Sequence, residues 1–346
     1  MNEIIIDGRK IGPAHPPLVI AEIGINHNGC LTTAKKMVDA AARAGVEIIK
    51  HQTHIVEDEM SRAAKSVIPG NATSSIYDIM RECALSEDDE RALKRYVEDK
   101  GMIFFSTPFS RAAANRLADM NVSAYKIGSG ECNNTPLIQH VCAQEKPVIL
   151  STGMNNIGSI ANAVTLFRAY HIPYALLHTT NLYPTPPHLV RLGAMTEMAH
   201  AFPDAVFGLS DHTTNNIACM GAIALGASIV ERHFTDHMQR EGPDIICSMD
   251  EHACRELIHD SKTLHVQLGG HKTATPEEKI TMDFAFSTVV SIKAIQKGEP
   301  FNHDNIWVKR PGCGDIPAVD YESLIGKVAA QAIENDTHLK RDDIQA

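Results

Sequence analysis

Two histidines, His212 and His233, each follow a short apolar run, VFGLSD before the first and IVER before the second. Imidazole suits a divalent first-row metal, and two protein ligands leave positions open for water and substrate, as a catalytic ion requires. Two lysines occupy the same kind of place, Lys50 in EIIKHQT and Lys126 in AYKIGSG, in a chain of formal net charge −10. With the hydroxyls of Thr107, Ser129, Ser151 and Ser210 they offer a cradle for a small ligand bearing phosphate and carboxylate. The same lysines admit two other readings: a buried salt bridge to Glu22 or Glu131, or a Schiff-base nucleophile. Asp244, in the loop REGPDIICSMD, is required neither by the Gly-Pro turn nor by a cap at Ser248, and is assigned to substrate.

Such residues need a scaffold that brings distant segments to one place. A β-rich apolar run with a polar tail, followed by a helical stretch, occurs eight times, at 17–24, 47–53, 103–109, 124–130, 147–153, 174–180, 206–212 and 229–235. The runs are short and nearly continuously apolar at their N-terminal ends, as strands buried on both faces should be. Strict β/α alternation repeated eight times predicts an α/β fold, a closed (β/α)8 TIM barrel, with an open doubly wound sheet as runner-up. In a barrel the C-terminal strand ends converge on one mouth, and here those ends carry Glu22, Lys50 and Gln52, Thr107, Lys126 through Glu131, Ser151, Asn181 and Tyr183, Ser210 through His212, and Glu231 through His233. Charges on otherwise buried strands cost several kcal/mol unless they are paired or used, on the order of the penalties for buried ions, so the set reads as a catalytic mouth.

The connecting stretches carry helix signals. Ser86 precedes an acidic first turn, Thr135-Pro136 reads as a cap followed by proline at the first helical position, and Ser248 with Glu251 reads as a capping box. IIIDGRKI (4–11) looks like a hairpin ahead of the barrel, within an N-terminal segment 1–16. The second connection, 54–85, is long, contains Pro69-Gly70-Asn71 and reads as a lid or binding loop. After a catalytic domain at 1–270 comes a polar linker at 271–282. A small domain at 283–346 then shows short β runs and a helix near YESLIGKVAA.

Composition sets the outer limits. The 346 residues are 44% hydrophobic and 21% charged, an ordinary globular balance with enough apolar residues for a sizeable core. Net negative charge argues against nucleic-acid or anionic-membrane partners. The N-terminus MNEIIIDGRKIG looks like neither a signal peptide nor a spanning helix, and eight scattered cysteines without a CxxC pair read as reduced thiols in a cytoplasmic chain.

The segments IAEIGINHNG, KHQTH, FSTPFS, YKIGSGE, LSTGM, TTNLYPTP, GLSDHT, ERHFTD and GPD-x4-S, in this order, resemble bacterial N-acetylneuraminate (sialic acid) synthases over essentially the whole chain. The tail is similar to that family's antifreeze-like (SAF) domain. The resemblance implies condensation of phosphoenolpyruvate with N-acetylmannosamine, use of Mn2+ or Mg2+, and a domain-swapped homodimer. It implies that His212 and His233 hold the metal, and that Lys50, Thr107, Lys126, Ser129, Ser151 and Ser210 bind phosphoenolpyruvate. Gln52, Asn71, Asn181, Tyr183 and Asp244 would surround the sugar, and Phe284 and Arg310 would come from the partner's SAF domain. Glu22 or Glu131 would take the proton of an attacking water. The chain departs from the family in its apolar GPDIICS, where relatives carry a more polar segment. A legionaminic or pseudaminic acid synthase using a diacetamido hexose is the nearest alternative, followed by a Schiff-base lyase and, last, a carbohydrate- or ice-binding protein.

Overall fold

The computed structural model describes residues 2–70 and 73–345, in two compact units, Met1–Gly269 and Gly270–Ala346. In the first, strands β1 (Ile4–Ile6) and β2 (Arg9–Ile11) form an antiparallel hairpin. Its two turn residues, Asp7 and Gly8, both have positive φ, as a two-residue hairpin turn requires. Eight parallel strands follow: β3 (Leu18–Gly24), β4 (Ile48–Thr53), β5 (Ile103–Pro108), β6 (Tyr125–Ile127), β7 (Val148–Ser151), β8 (Tyr174–Thr179), β9 (Val206–Asp211) and β10 (Ile229–His233). The first and last of them, β3 and β10, are hydrogen-bonded neighbours, and β5 and β6 lie side by side without a ladder between them. Helices separate successive strands, so the architecture is the (β/α)8 barrel that the alternation predicts.

Period-two alternation sorts each strand into an inner and an outer row. Ile20, Ile48, Phe105, Ala124, Ile149, Leu177 and Ile229 fill the barrel interior, with Ile4, Ile6 and Ile11 of the hairpin packed in the same cluster. Val19, Ile49, Phe104, Tyr125, Leu150, Leu176 and Val230 face the helices instead. Two residues beyond each inner apolar position comes a polar one: Ile20 is followed by Glu22, Ile48 by Lys50, Phe105 by Thr107, Ala124 by Lys126, Ile149 by Ser151, Leu177 by Thr179 and Ile229 by Glu231. On β9 the inner position below Ser210 is Gly208, where a Cβ would come within 2.2 Å of the Ile229 carbonyl oxygen. The polar ring therefore stands directly on an apolar plug.

Local signals differ in detail. Ser86 caps its helix through Asp89 N–H, as expected. The helix Thr135–Cys142 is capped by Asn134, whose side chain accepts from Leu137 N–H, one residue earlier than Thr135-Pro136 indicates. Asp250, not Ser248, caps Glu251–Gln267, because the Ser248 hydroxyl donates to the Asp244 carbonyl instead. Among its described residues the 54–85 connection holds two short α-helices, Val56–Glu59 and Ile76–Cys83, and a 3-10 helix, Arg62–Ser66; Asn71 lies outside the described residues.

The second unit pairs β11 (Thr288–Ser291) with β12 (Ile306–Lys309) around its own core of Val289, Ile295, Phe301, Ile306 and Leu324. Part of the expected linker is helical, since a helix spans Lys279–Ala285. YESLIGKVAA does not form an α-helix. A 3-10 helix ends at Leu324, Gly326 turns the chain at φ 86°, and Val328 and Ala329 then make isolated β-bridges.

Candidate active site

The polar ring encloses a cavity of about 130 Å³ at the C-terminal strand ends, lined among others by Lys50, Thr107, Lys126, Ser129, Ser151 and Ser210. Both lysines are buried, at 5% and 2% exposure. Lys50 pairs with Glu22 and lies 3.2 Å from Glu231, while Lys126 donates to Ser151 Oγ at 2.7 Å and lies 3.7 Å from the same Glu231 carboxylate. Burial works against the Lys50 charge, but Glu22 and Glu231 overcome it and hold the ammonium above its ordinary range. Burial dominates at Lys126 and brings it down to about 8, although Glu231 opposes the shift. Glu231 would be raised by burial, yet the two lysines hold it down at about 2.

The salt-bridge reading of the lysines is therefore half right and names one wrong carboxylate. Their partners are Glu22 and Glu231, because alternation points both into the barrel. Glu131 sits beyond β6 on the short turn Ser129–Glu131, where Asn134 donates to it at 2.5 Å. Burial raises the Glu131 carboxyl, partly offset by that hydrogen bond. Glu231 received no role from sequence, although its parity with Ile229 and His233 on one strand was the available signal.

Several buried polar atoms in this ring have no hydrogen-bond partner among the described residues: Thr107 Oγ1, Asn181 Oδ1, Glu231 Oε2 and His233 Nδ1. Buried polar groups in native proteins are nearly always satisfied, so a cluster of orphans lining one cavity is the signature of a ligand site. Gly153 belongs to the same design, since a Cβ there would fall 1.8 Å from Asn181 Oδ1. Gln52 donates to Glu22 at 3.0 Å and accepts from His54 at 3.1 Å.

His212 and His233 approach to 5.3 Å between ring centroids, and Tyr183 stacks on His212 at 4.1 Å. His212 Nδ1 is 2.9 Å from the Thr180 carbonyl, which leaves Nε2 as a free lone pair. Asp244 Oδ2 lies 3.7 Å from His233 Nδ1. Burial, reinforced at His212 by its neighbour His233, holds both imidazoles down to about 4, so both are neutral at pH 7. Burial pushes Asp244 up to about 6 against the pull of His212 and Lys50. Two neutral imidazoles, one with an orphaned nitrogen, are a donor set that fits a divalent ion. Among the described residues no group of three or more His, Cys, Asp or Glu side chains is placed to hold a metal ion, so the protein donors here are the two imidazoles alone.

Phe284 and Arg310 belong to the second unit, where both side chains are exposed. No helix among the described residues is long and apolar enough to cross a membrane.

The model of the NeuB family matches residues 37–273, and that of the SAF domain matches 287–345. An uncharacterised protein of Methanocaldococcus jannaschii is 37% identical over 91% of this chain and 90% of its own. The N,N'-diacetyllegionaminic acid synthase of Campylobacter jejuni is 33% identical over 92% and 97%. Among solved structures, the N-acetylneuraminic acid (sialic acid) synthetase of Leptospira borgpetersenii, in complex with citrate, superposes with a TM-score of 0.74 at 27% identity, covering 81% of this chain and 95% of that one.

Proposed function

The chain belongs to the NeuB family of sialic-acid-type synthases, and we propose that it condenses phosphoenolpyruvate with N-acetylmannosamine and water, giving N-acetylneuraminate and phosphate. The observation that carries this reading is the pair of buried ammonium groups, Lys50 and Lys126, in one cavity ringed by hydroxyls. Few ligands other than a compact phosphorylated carboxylate would repay keeping two cations there.

Lys50 and Lys126 hold the phosphate and carboxylate, with Thr107, Ser129, Ser151 and Ser210 supplying further hydrogen bonds. Gln52, Asn181, Tyr183 and Asp244 orient the open-chain sugar so that its aldehyde carbon meets the methylene carbon of phosphoenolpyruvate. A new carbon–carbon bond forms, the aldehyde oxygen gains a proton, and positive charge develops at the neighbouring carbon. Water adds there, and as the added oxygen loses its second proton a ketone forms and phosphate leaves by carbon–oxygen cleavage, so that of water's two protons one ends on the former aldehyde oxygen and one on the departing phosphate. Glu131 receives the water's proton in this scheme, since burial raises its carboxyl above the ordinary range, whereas Glu22 is committed to Lys50 and Gln52. His212 and His233 would hold Mn2+ or Mg2+, which when bound supplies a Lewis acid for the aldehyde oxygen. Phe284 and Arg310 are assigned to the acylamino end of the sugar in a homodimer, each copy serving the other. All eight cysteines are unpaired, which accords with a reducing cytoplasm as the setting.

A second reading, a diacetamido hexose as substrate, is favoured by the likeness to the Campylobacter N,N'-diacetyllegionaminic acid synthase and by the apolar Ile245-Ile246 after Asp244, where Ile246 is 57% exposed. Purified protein supplied with phosphoenolpyruvate and Mn2+ is offered either sugar, and products are identified by mass. We expect N-acetylmannosamine to win by about tenfold or more in kcat/KM, the worth of roughly one mismatched polar group. Reversed preference transfers the assignment to the legionaminic class, and no product with any sugar defeats it.

A further inference from the structure

Arg232 is the largest fully buried side chain of the molecule, 1% exposed, and sits on β10 between Glu231 and His233. Its neighbours face the cavity; alternation sends Arg232 to the opposite face of the sheet. Arginine cannot shed its charge, so the fold retains a permanent buried cation behind its own active site. Among the described residues the only carboxylate paired with it is Asp211, 3.5 Å from Nε, and that carboxylate also accepts from Thr213 N–H at 3.0 Å and from the Thr213 hydroxyl at 2.8 Å. Buried ion pairs are commonly replaceable by apolar side chains without loss of stability, so packing alone does not account for it.

Its other contacts do. Nη1 donates to Asn216 Oδ1 at 2.6 Å, and Nη2 donates to the Thr213 carbonyl at 2.8 Å and to the Cys247 carbonyl at 3.4 Å. Thr213 directly follows His212, and Asn216 ends the same loop at the helix Ile217–Ala224. Cys247 lies in the short turn that Asp244 begins, and its thiol donates back to the Asp244 carbonyl at 3.3 Å. One planar guanidinium thus ties the loop presenting His212 to the loop presenting Asp244, from the strand presenting His233.

We infer that Arg232 is a positioning residue that fixes the spacing of His212, His233 and Asp244 and thereby sets the affinity of the barrel mouth for a divalent cation. The inference rests on the reading of the two histidines as a cation site. Removing an outer partner of a metal ligand typically weakens binding about 10–100-fold. Lysine keeps the charge but has no planar fork to join two loops.

The test uses full-length protein without sugar. Mn2+ affinity is read from the electron paramagnetic resonance of the free ion, and phosphoenolpyruvate affinity from metal-free equilibrium dialysis. Arg232→Lys should bind Mn2+ about 10–100-fold more weakly while its phosphoenolpyruvate affinity and circular dichroism match the parent. Asn216→Ala, at a partly exposed position, removes one acceptor and keeps the cation; it should weaken Mn2+ severalfold and carries the test if Arg232→Lys does not fold. Mn2+ affinity within about twofold of the parent in the folded variant overturns the inference and leaves the histidine site standing. Equal loss of both ligands overturns it too, since the defect would then be general. A parent that binds no Mn2+ removes the histidine site itself, and this inference with it.

Discussion

At the scale of single residues the chemistry depends on keeping unlike charges close without letting them cancel. Glu231 faces both Lys50 and Lys126, so the cavity holds two ammonium groups against Glu231 and Glu22, and an incoming dianion competes for the same cations. The two lysines are held differently. Lys50 has two carboxylates and stays charged, whereas Lys126 is dominated by burial and titrates near 8. Because its pKa is depressed, the cation is present below that value and disappears as pH rises through it. The kcat/KM for phosphoenolpyruvate, which reports free-enzyme groups, should therefore fall above pH of about 8. In Lys126→Arg that alkaline limb should vanish at reduced overall activity, because arginine does not titrate there. A pH–rate profile from about 6 to 10 checks this, and persistence of the limb in the variant would assign it to another group.

At the scale of elements, most of the barrel could be read from the chain because each strand is buried on both faces and announces itself as an apolar run. Which strand-end residues face the cavity was also legible in principle. The step from Ile229 to Glu231 to His233 is one parity, and Arg232 belongs to the other. What could not be read was competition for hydrogen bonds. Ser248 looked like a helix cap by spacing, but its hydroxyl goes to the Asp244 carbonyl and Asp250 takes the cap. The same limit applies to Glu131 and Glu231. Glu131 follows the GSG run closely enough to seem part of the lysine site, while the actual pairs of Glu231 reach across the barrel interior, from β10 to Lys50 on β4 and Lys126 on β6, neither of which is bonded to β10. In the second unit, a stretch with helical spacing gave way to a turn at Gly326, a position whose positive φ favours glycine.

At the scale of the whole molecule, the chain holds a barrel with its own ringed cavity and a separate unit that displays Phe284 and Arg310 outward. If each copy completes its partner's site, two individually inactive variants should rescue each other. Lys126→Ala lacks a working barrel and Arg310→Ala a working second unit, so mixed dimers contain one sound combination. Random reassortment of equal amounts should restore about a quarter of the parent's sites, since about half the dimers are mixed and half of their sites are sound. No recovery after subunit exchange is confirmed would count against shared sites. The central claim, that this cavity joins phosphoenolpyruvate to a sugar by carbon–oxygen cleavage, is tested most directly with phosphoenolpyruvate carrying oxygen-18 at its bridging position. With N-acetylmannosamine and Mn2+, labelled phosphate should appear one for one with a nine-carbon acid, and EDTA should stop both. Unlabelled phosphate, phosphate released without sugar, or turnover that survives EDTA would contradict the account.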